Sequence, residues 1–394
     1  MQILHIIGTL DPEAGGPSQA VRTFFSYRDI GYLGEAITLD DPANPYLKNM
    51  EFPVHAMGSK LYSYGYTSKL VPWLRKNRSR FDGVVIDGLW NYGGFATWRA
   101  LAGTDTPYMI LPHGMLDPYF KHAYPLKHLK KWLYWAPVEY RVLRDAYRVL
   151  FTSTAERDLA EQSFWLHRWT PHVVPYGTRG VPQKNRNDFT AAFLERCPDV
   201  GNHRFLLYLS RIHRKKGCDL LVQAFGKAAK KDAELHLVMA GPDQQGWGEE
   251  LRRMAHDLGV GDRIHWPGML AGDAKWGAFY ASEAFILPSH QENFGIAVAE
   301  AMSCGKPVLL SDKVNIAEVI ANDQAGLMES DTEEGTLRLL EGWIATPTEE
   351  RLAMGERAVQ CFRKRYDMRE SARMILQLFE ESKGLKGETI PSRS

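Results

Sequence analysis

At 394 residues the chain exceeds what one ordinary domain accommodates, so two domains are expected. It is 44% hydrophobic and 24% charged, a globular composition, and a formal net charge of +1 argues against wholesale nucleic-acid binding. Cys197, Cys218, Cys304 and Cys361 show no pair spacing, which predicts reduced thiols in a cytoplasmic protein, not a disulfide framework or zinc site.

The opening MQILHIIG reads at once as a strand. It lacks the basic start and long apolar run of a signal peptide, and no run of about 18 apolar residues predicts a membrane-spanning helix. In chain order, strands are predicted at Ile3–Ile7, Ala36–Leu39, Gly83–Ile86, Tyr108–Leu111, Val149–Thr152 and His172–Val174. A second series follows at Phe205–Leu209, Leu235–Ala240, Arg263–Trp266, Ala284–Leu287 and Val308–Leu310. Helical patterns separate them, among them Pro17–Tyr27, Thr67–Asn77, Thr154–Gln162, Asp219–Ala229 and Glu249–Leu258. Buried strands alternating with helices specify parallel sheets covered on both faces. The polar, Gly/Pro-punctuated stretch 176–203 is read as the junction. The expectation is an α/β protein with two doubly wound, Rossmann-like domains facing each other across a cleft. The tail KGLKGETIPSRS is polar and is expected to be disordered.

In such sheets ligands bind beyond the carboxyl ends of strands, which directs attention to the residues after each strand. After FLLYLS, the segment RIHRKKG gathers Arg211, His213, Arg214, Lys215 and Lys216 before Gly217 opens a helix. Cations feeding a helix N-terminus suit a phosphate, although a solvated basic loop has the same composition. In ILPSHQENFGIAVAEAMSCGKPVLL, Glu292 stands at a strand end beside the amides of Asn293, Phe294 and Gly295. Glu300 is the only charge of the apolar helix that follows, and Gly305 stops that helix. Such a charge needs a partner, or it lies on the helix's exposed edge. Carboxylates accept two hydrogen bonds from a vicinal diol, so two of them at different depths suit two sugars of one ligand.

HQENFGIAVAEAMSCGKPVLLSD resembles the E-x7-E segment of the family 4 retaining glycosyltransferases, which have the GT-B fold. LSRIHRKKGCDLLVQAF and LVMAGPD resemble the same family's Arg/Lys loop and its next strand and turn. GGPSQAV and PHGMLDP match more loosely. The resemblance implies an N-terminal acceptor domain over 1–180, a C-terminal donor domain over 203–367 and a helix over 368–385 that crosses back to the first. It implies that Glu292 contacts donor hexose hydroxyls, helped by the amides of Asn293, Phe294 and Gly295. Glu300 would hold the nucleotide ribose, and Arg211 and Lys216 the diphosphate. His113 would reach the donor sugar across the cleft, Gly15 and Gly16 would form a glycine loop, and Ile264 would present backbone to the base. Taken by itself, His113 reads as a structural hydrogen-bonder at least as well.

No Asp-x-Asp motif occurs, and the cationic loop is expected to replace a metal; no cofactor is expected, since the nucleotide-sugar is a substrate. The expected activity is transfer of a hexose, first choice glucose from UDP-glucose, to a glycan or lipid-linked saccharide in polysaccharide or glycoconjugate biosynthesis. The competing readings are a nucleotide-sugar epimerase of the same fold and a non-catalytic nucleotide-sugar-binding protein. Asp87, Trp90, Asn91 and Asp117 are candidate acceptor contacts at first-domain strand ends. The stretch 119–148 is basic, aromatic and helically periodic through Leu126, Leu129, Trp132, Leu133 and Ala136. It fits either a core-packing helix with a solvated basic face or a peripheral contact with the inner face of a membrane.

Overall fold

The computed structural model describes residues 1–58, 64–123, 125–243 and 245–387. The chain forms two compact units, one of Met1–Gly177 with the helix Met368–Gly387, the other Thr178–Asp367.

The first unit's strands are β1 (Gln2–Ile7), β2 (Leu33–Thr38), β3 (Val54–Ala56), β4 (Gly83–Asp87), β5 (Tyr108–Leu111), β6 (Arg148–Phe151) and β7 (Pro171–Val173). They pair in parallel in the order β3-β2-β1-β4-β5-β6-β7. The chain runs outward from β1 to β3 and then crosses to β4, so the switch point lies between β1 and β4. Ile3, Leu4, Val84, Val85 and Ile86 have no exposed surface, as strands covered on both faces require. His5 and Asp87 are polar residues buried in the same strands. Register sets Ile7 opposite Asp87, so His5, two residues earlier, shares a sheet face with Asp87.

In the second unit, β8 (Arg204–Leu209), β9 (Leu235–Ala240), β10 (Ile264–Gly268), β11 (Ala284–Leu287), β12 (Val308–Ser311) and β13 (Gly326–Glu329) pair in the order β10-β9-β8-β11-β12-β13, again in parallel. Its switch point lies between β8 and β11. The stretch 176–203, read as a junction, carries the helix Arg186–Arg196, whose Phe189 and Phe193 are fully buried in this unit. All four cysteines are unpaired and buried.

The C-terminal helix begins at Met368 and runs through Gly387, so the polar residues 383–387 continue it, while 388–394 lie outside the described residues. Ala372, Ile375 and Phe379, spaced along one face, have no exposed surface. The Phe379 ring occupies the place of a side chain at Gly83: a Cβ there would stand 2.0 Å from it. Arg369 pairs with Asp29 at 2.6 Å and Lys383 with Asp82, fixing the helix to the first unit at both ends.

The helix Pro125–Tyr134 runs into a π-turn, Trp135–Glu139. Pro137 has no N–H to give the Leu133 carbonyl, and the turn widens where that bond is missing. The widened turn carries Glu139 inward, where it accepts from the Trp90 amide at 2.6 Å. Burial pushes its carboxyl up to about 7 against the opposing pull of that amide and of Lys131. The raised value stabilises the fold below about pH 4.5, and that stabilisation is lost as pH rises to about 7. Glu139→Gln removes the ionisation and keeps the acceptor. Relative to wild type, the variant is expected to gain up to about 3 kcal/mol between pH 4.5 and 8, read by denaturant melts at each pH. A constant difference across that range would show that Glu139 ionises normally.

Candidate active site

Two loops build the second unit's switch point. The five basic residues after β8 have different fates. The His213 imidazole accepts from the Lys215 amide at 3.1 Å and caps the turn Arg214–Lys216. Burial, with Arg211, Lys215 and Lys216 nearby, holds its pKa below the ordinary value, which keeps the accepting nitrogen unprotonated. Arg214 lies over the Trp247 ring at 4.6 Å, with Glu250 at 3.6 Å. Arg211 is exposed. Lys216 is buried, and its ammonium is bonded to the Glu292 carboxylate.

That bond requires the two loops to touch. Gly217 has φ 66°, and a Cβ there would stand 2.0 Å from the Pro288 carbonyl oxygen, so only glycine lets the β8 loop pass the end of β11. The Glu292 backbone is fixed by the loop after β12: its amide donates to Lys313 and its carbonyl accepts from Asn315, both at 3.0 Å. Burial opposes ionisation of Glu292. The Lys216 charge and hydrogen bond, then Lys215 and the Asn293 amide, outweigh it and hold the carboxyl below its ordinary value. Glu292 is therefore a carboxylate at neutral pH.

Asn293 accepts from the Asn315 side chain at 3.2 Å, and Phe294 is buried against Tyr366. Gly295, at φ 76°, opens the helix Ile296–Ser303, whose first turn closes through the Val298 amide on the Gly295 carbonyl at 2.8 Å. Glu300 lies in that helix with 3% of its surface exposed, paired with Lys275 at 2.6 Å. Burial dominates, and its carboxyl stays above the ordinary value despite Lys275. Each of the two carboxylates thus has its own lysine. Lys275, on the helix Gly272–Ala281, carries no mark in its own segment, GDAKWG; the signal for it was the demand of a lone buried glutamate for a cation.

Ile264 is not brought to this edge. It begins β10, is buried, and pairs with Leu237 in mid-strand, whereas Gly268 and the exposed Met269 lie at the carboxyl end.

In the first unit the polar centre is Asp87, at the end of β4. One carboxylate oxygen takes His5 Nδ1–H at 2.7 Å, the other takes His113 Nε2–H at 3.1 Å, and the Tyr32 hydroxyl meets His5 Nε2 at 2.7 Å. Burial raises the carboxyl, but His5 and His113 together bring it below its ordinary value. With Nε2–H committed to Asp87, His113 keeps Nδ1 as an acceptor. His113 itself has φ 51°, a left-handed conformation uncommon outside glycine, followed by Gly114 at φ 74°. The turn is held by Glu156, which accepts from the Gly114 amide and from the Thr152 amide and hydroxyl, each at 2.6 Å. Ser-Thr-Ala-Glu at 153–156 has the spacing of a capping box, and Ser153 does cap the Glu156 amide at 3.0 Å. The glutamate, however, serves the His113 loop.

The acceptor candidates are placed otherwise than expected. Asp87 has no exposed side-chain surface and both oxygens engaged, so it positions His113. Asn91 caps the helix Tyr92–Leu101 by accepting from Gly93. Asp117 is buried and accepts from the Tyr119 amide at 2.8 Å. Trp90, at φ 67°, is built into a cluster with Tyr134, Trp135 and Phe164, with Lys131 over its ring at 4.2 Å. Gly15 and Gly16 lie at the start of the helix Gly16–Phe24; Gly15 has φ 96° and open space where a Cβ would be.

Residues 35–177 match the family model described as "Glycosyl transferase 4-like domain", and residues 197–360 match "Glycosyl transferases group 1". The chain is 31% identical over 230 residues to a D-inositol 3-phosphate glycosyltransferase of Xylanimonas cellulosilytica, covering 54% of this chain and 51% of that one. It is 27% identical over 177 residues to a mannosylfructose-phosphate synthase of Agrobacterium fabrum, covering 43% and 38%. The chain thus spans about half the length, or less, of these curated relatives. Among solved structures, the Anabaena protein HepE with UDP and glucose superposes with a TM-score of 0.74 at 19% identity, covering 97% of this chain and 100% of that one. A sucrose-phosphate synthase from Thermosynechococcus elongatus gives 0.73 at 19% identity, covering 98% and 100%. Both show the same fold. With its two halves matched to glycosyltransferase models in family order and its two sheets wound as in these neighbours, the chain belongs to the family 4 glycosyltransferases of the GT-B fold.

Proposed function

We propose that the protein transfers a hexose, glucose as first candidate, from UDP-glucose to a glycan or lipid-linked saccharide, with retention at the anomeric carbon and without a metal. The observation that carries this reading is the Lys216–Glu292 pair at the switch point of the second sheet, formed by the loop that also carries Arg211. It sets a carboxylate for sugar hydroxyls next to cations for a diphosphate. That HepE was solved with UDP-glucose supports the choice of donor.

In this reading Glu292 accepts from the donor hexose and Glu300 from the ribose diol. As the anomeric C–O bond breaks, its electron pair passes to the diphosphate. Arg211, Lys216 and the amides of Phe294 and Gly295 are the groups that stabilise this charge. Lys216 has three N–H donors, so it can serve a phosphate while holding Glu292. The acceptor attacks on the same face, and its proton goes to the departing phosphate oxygen. In the first unit, Asp87 leaves His113 Nδ1 to accept a hydrogen bond.

A donor panel in EDTA tests the assignment. UDP-glucose is expected to raise the melting temperature and to be slowly hydrolysed, with no gain on adding magnesium or manganese. A response to GDP- or ADP-sugars alone would reassign the donor, and strict metal dependence would remove the proposed role of the cationic loop.

Glu292→Gln is expected to lower kcat by about 10²–10³ while the fold persists. Lys216→Ala leaves a buried carboxylate without its cation, and is expected to cost about 3 kcal/mol of stability as well as turnover. Full turnover in either variant would sink the site.

Glu300 must be ionised to accept the diol, and its carboxyl sits above the usual value. Donor binding is therefore expected to tighten as pH rises through that raised value, and Glu300→Gln to weaken binding and flatten the profile. A wild-type KM independent of pH from 4 to 7 would place the ribose elsewhere.

A further inference from the structure

The helix Pro125–Tyr134 was open to two readings, core packing or surface contact, and its orientation distinguishes them. Its inner face carries His128, stacked on Phe164 at 4.6 Å, and leads to Trp135, stacked on the same ring at 4.0 Å. Its outer face carries Leu126, Leu129 and Leu133, spaced i, i+3 and i+7, with 78%, 65% and 82% of their surface exposed. Trp132 bridges the faces and stacks on Trp165 at 5.3 Å, which holds Trp165 beside the helix with 79% exposed. Single exposed leucines are ordinary, but three on one stripe with an indole alongside form a patch that marks an interaction surface.

Charge selects the partner. Lys127 and Lys130 on this helix and Lys121 on the preceding helix, Tyr119–Ala123, are exposed, and no acidic residue occurs from position 119 to 134. An apolar stripe on a segment that carries lysines and no carboxylates matches a surface that offers hydrocarbon below and negative charge above. No helix among the described residues is long and apolar enough to cross a membrane. We infer that Leu126, Leu129, Leu133 and Trp165 seat the first unit on an anionic lipid bilayer, with Lys121, Lys127 and Lys130 against its headgroups. The inference goes beyond the proposed reaction and does not depend on the donor.

The test is co-sedimentation of the full chain with phosphatidylcholine vesicles, with and without phosphatidylglycerol. Binding is expected to the anionic vesicles, and to weaken in high salt. Lys127→Glu/Lys130→Glu and, separately, Leu126→Ser/Leu129→Ser/Leu133→Ser are each expected to lower the vesicle partition coefficient at least roughly tenfold. Melting temperature and donor hydrolysis should stay at wild-type values, because these side chains are exposed. Three results would overturn the inference: no binding to either vesicle, equal binding to both that ignores the lysine variant, or a dimer without vesicle binding that the serine variant dissociates. The last would give the stripe to a second copy of the chain.

Discussion

A carboxylate withdrawn from water has to be met by a cation or by several hydrogen bonds, or else it takes up a proton. The desolvation penalty is several kcal/mol per ion, more than most single interactions in a fold return. Much of the second unit's local geometry follows from meeting this demand at Glu292. Lys216 reaches it only because the loops after β8 and β11 touch, which only glycine at 217 permits. The loop after β12 then clamps the Glu292 backbone from both sides. The result is an ionised acceptor fixed beside a cation by the fold itself.

The first unit repeats the demand at three places and meets it differently each time. Asp87 is satisfied by two imidazoles and stays ionised, which commits the Nε2–H of His113 and leaves its other nitrogen to accept. Glu156 is satisfied by amides and a hydroxyl, and its reward is the strained turn that carries His113. Glu139 has one amide and a distant lysine, too little to offset burial, so its carboxyl rises to about 7. Environment alone separates these acids in behaviour.

What the sequence revealed follows the range of the forces involved. Buried strands announce themselves as short apolar runs, and nearly all were legible to within a residue or two. β3 and β13 escaped because three or four residues are too few to give a period to read. Glu292, Glu300 and the basic loop were legible because each lies in a local pattern next to a strand end. Long-range partners were not: Lys275 meets Glu300 across 25 positions and His5 meets Asp87 across 82. Sheet register makes the His5–Asp87 pair and helix packing makes the Lys275–Glu300 pair, and both are properties of the assembled fold. Ile264 was misplaced for a related reason, since a strand's apolar run does not say how far its carboxyl end extends. In the helix Pro125–Tyr134 both faces are apolar, so periodicity predicted the helix and left its direction open.

That direction ties the exposed stripe to the chemistry of the same unit. The helix that turns Leu126, Leu129 and Leu133 outward continues without a break into the π-turn that turns Glu139 inward. Glu139 holds the Trp90 amide, and Trp90 follows by three residues the aspartate that orients His113. Tyr134 at the helix end bonds Tyr64 at 2.8 Å and lies near the Trp90 ring. A load on the outer face therefore acts on a stiff aromatic and hydrogen-bonded assembly that ends at the carboxyl edge of β4. Core packing of this kind transmits displacement rather than absorbing it. A surface seated on the stripe would thus be held at a fixed distance from His113.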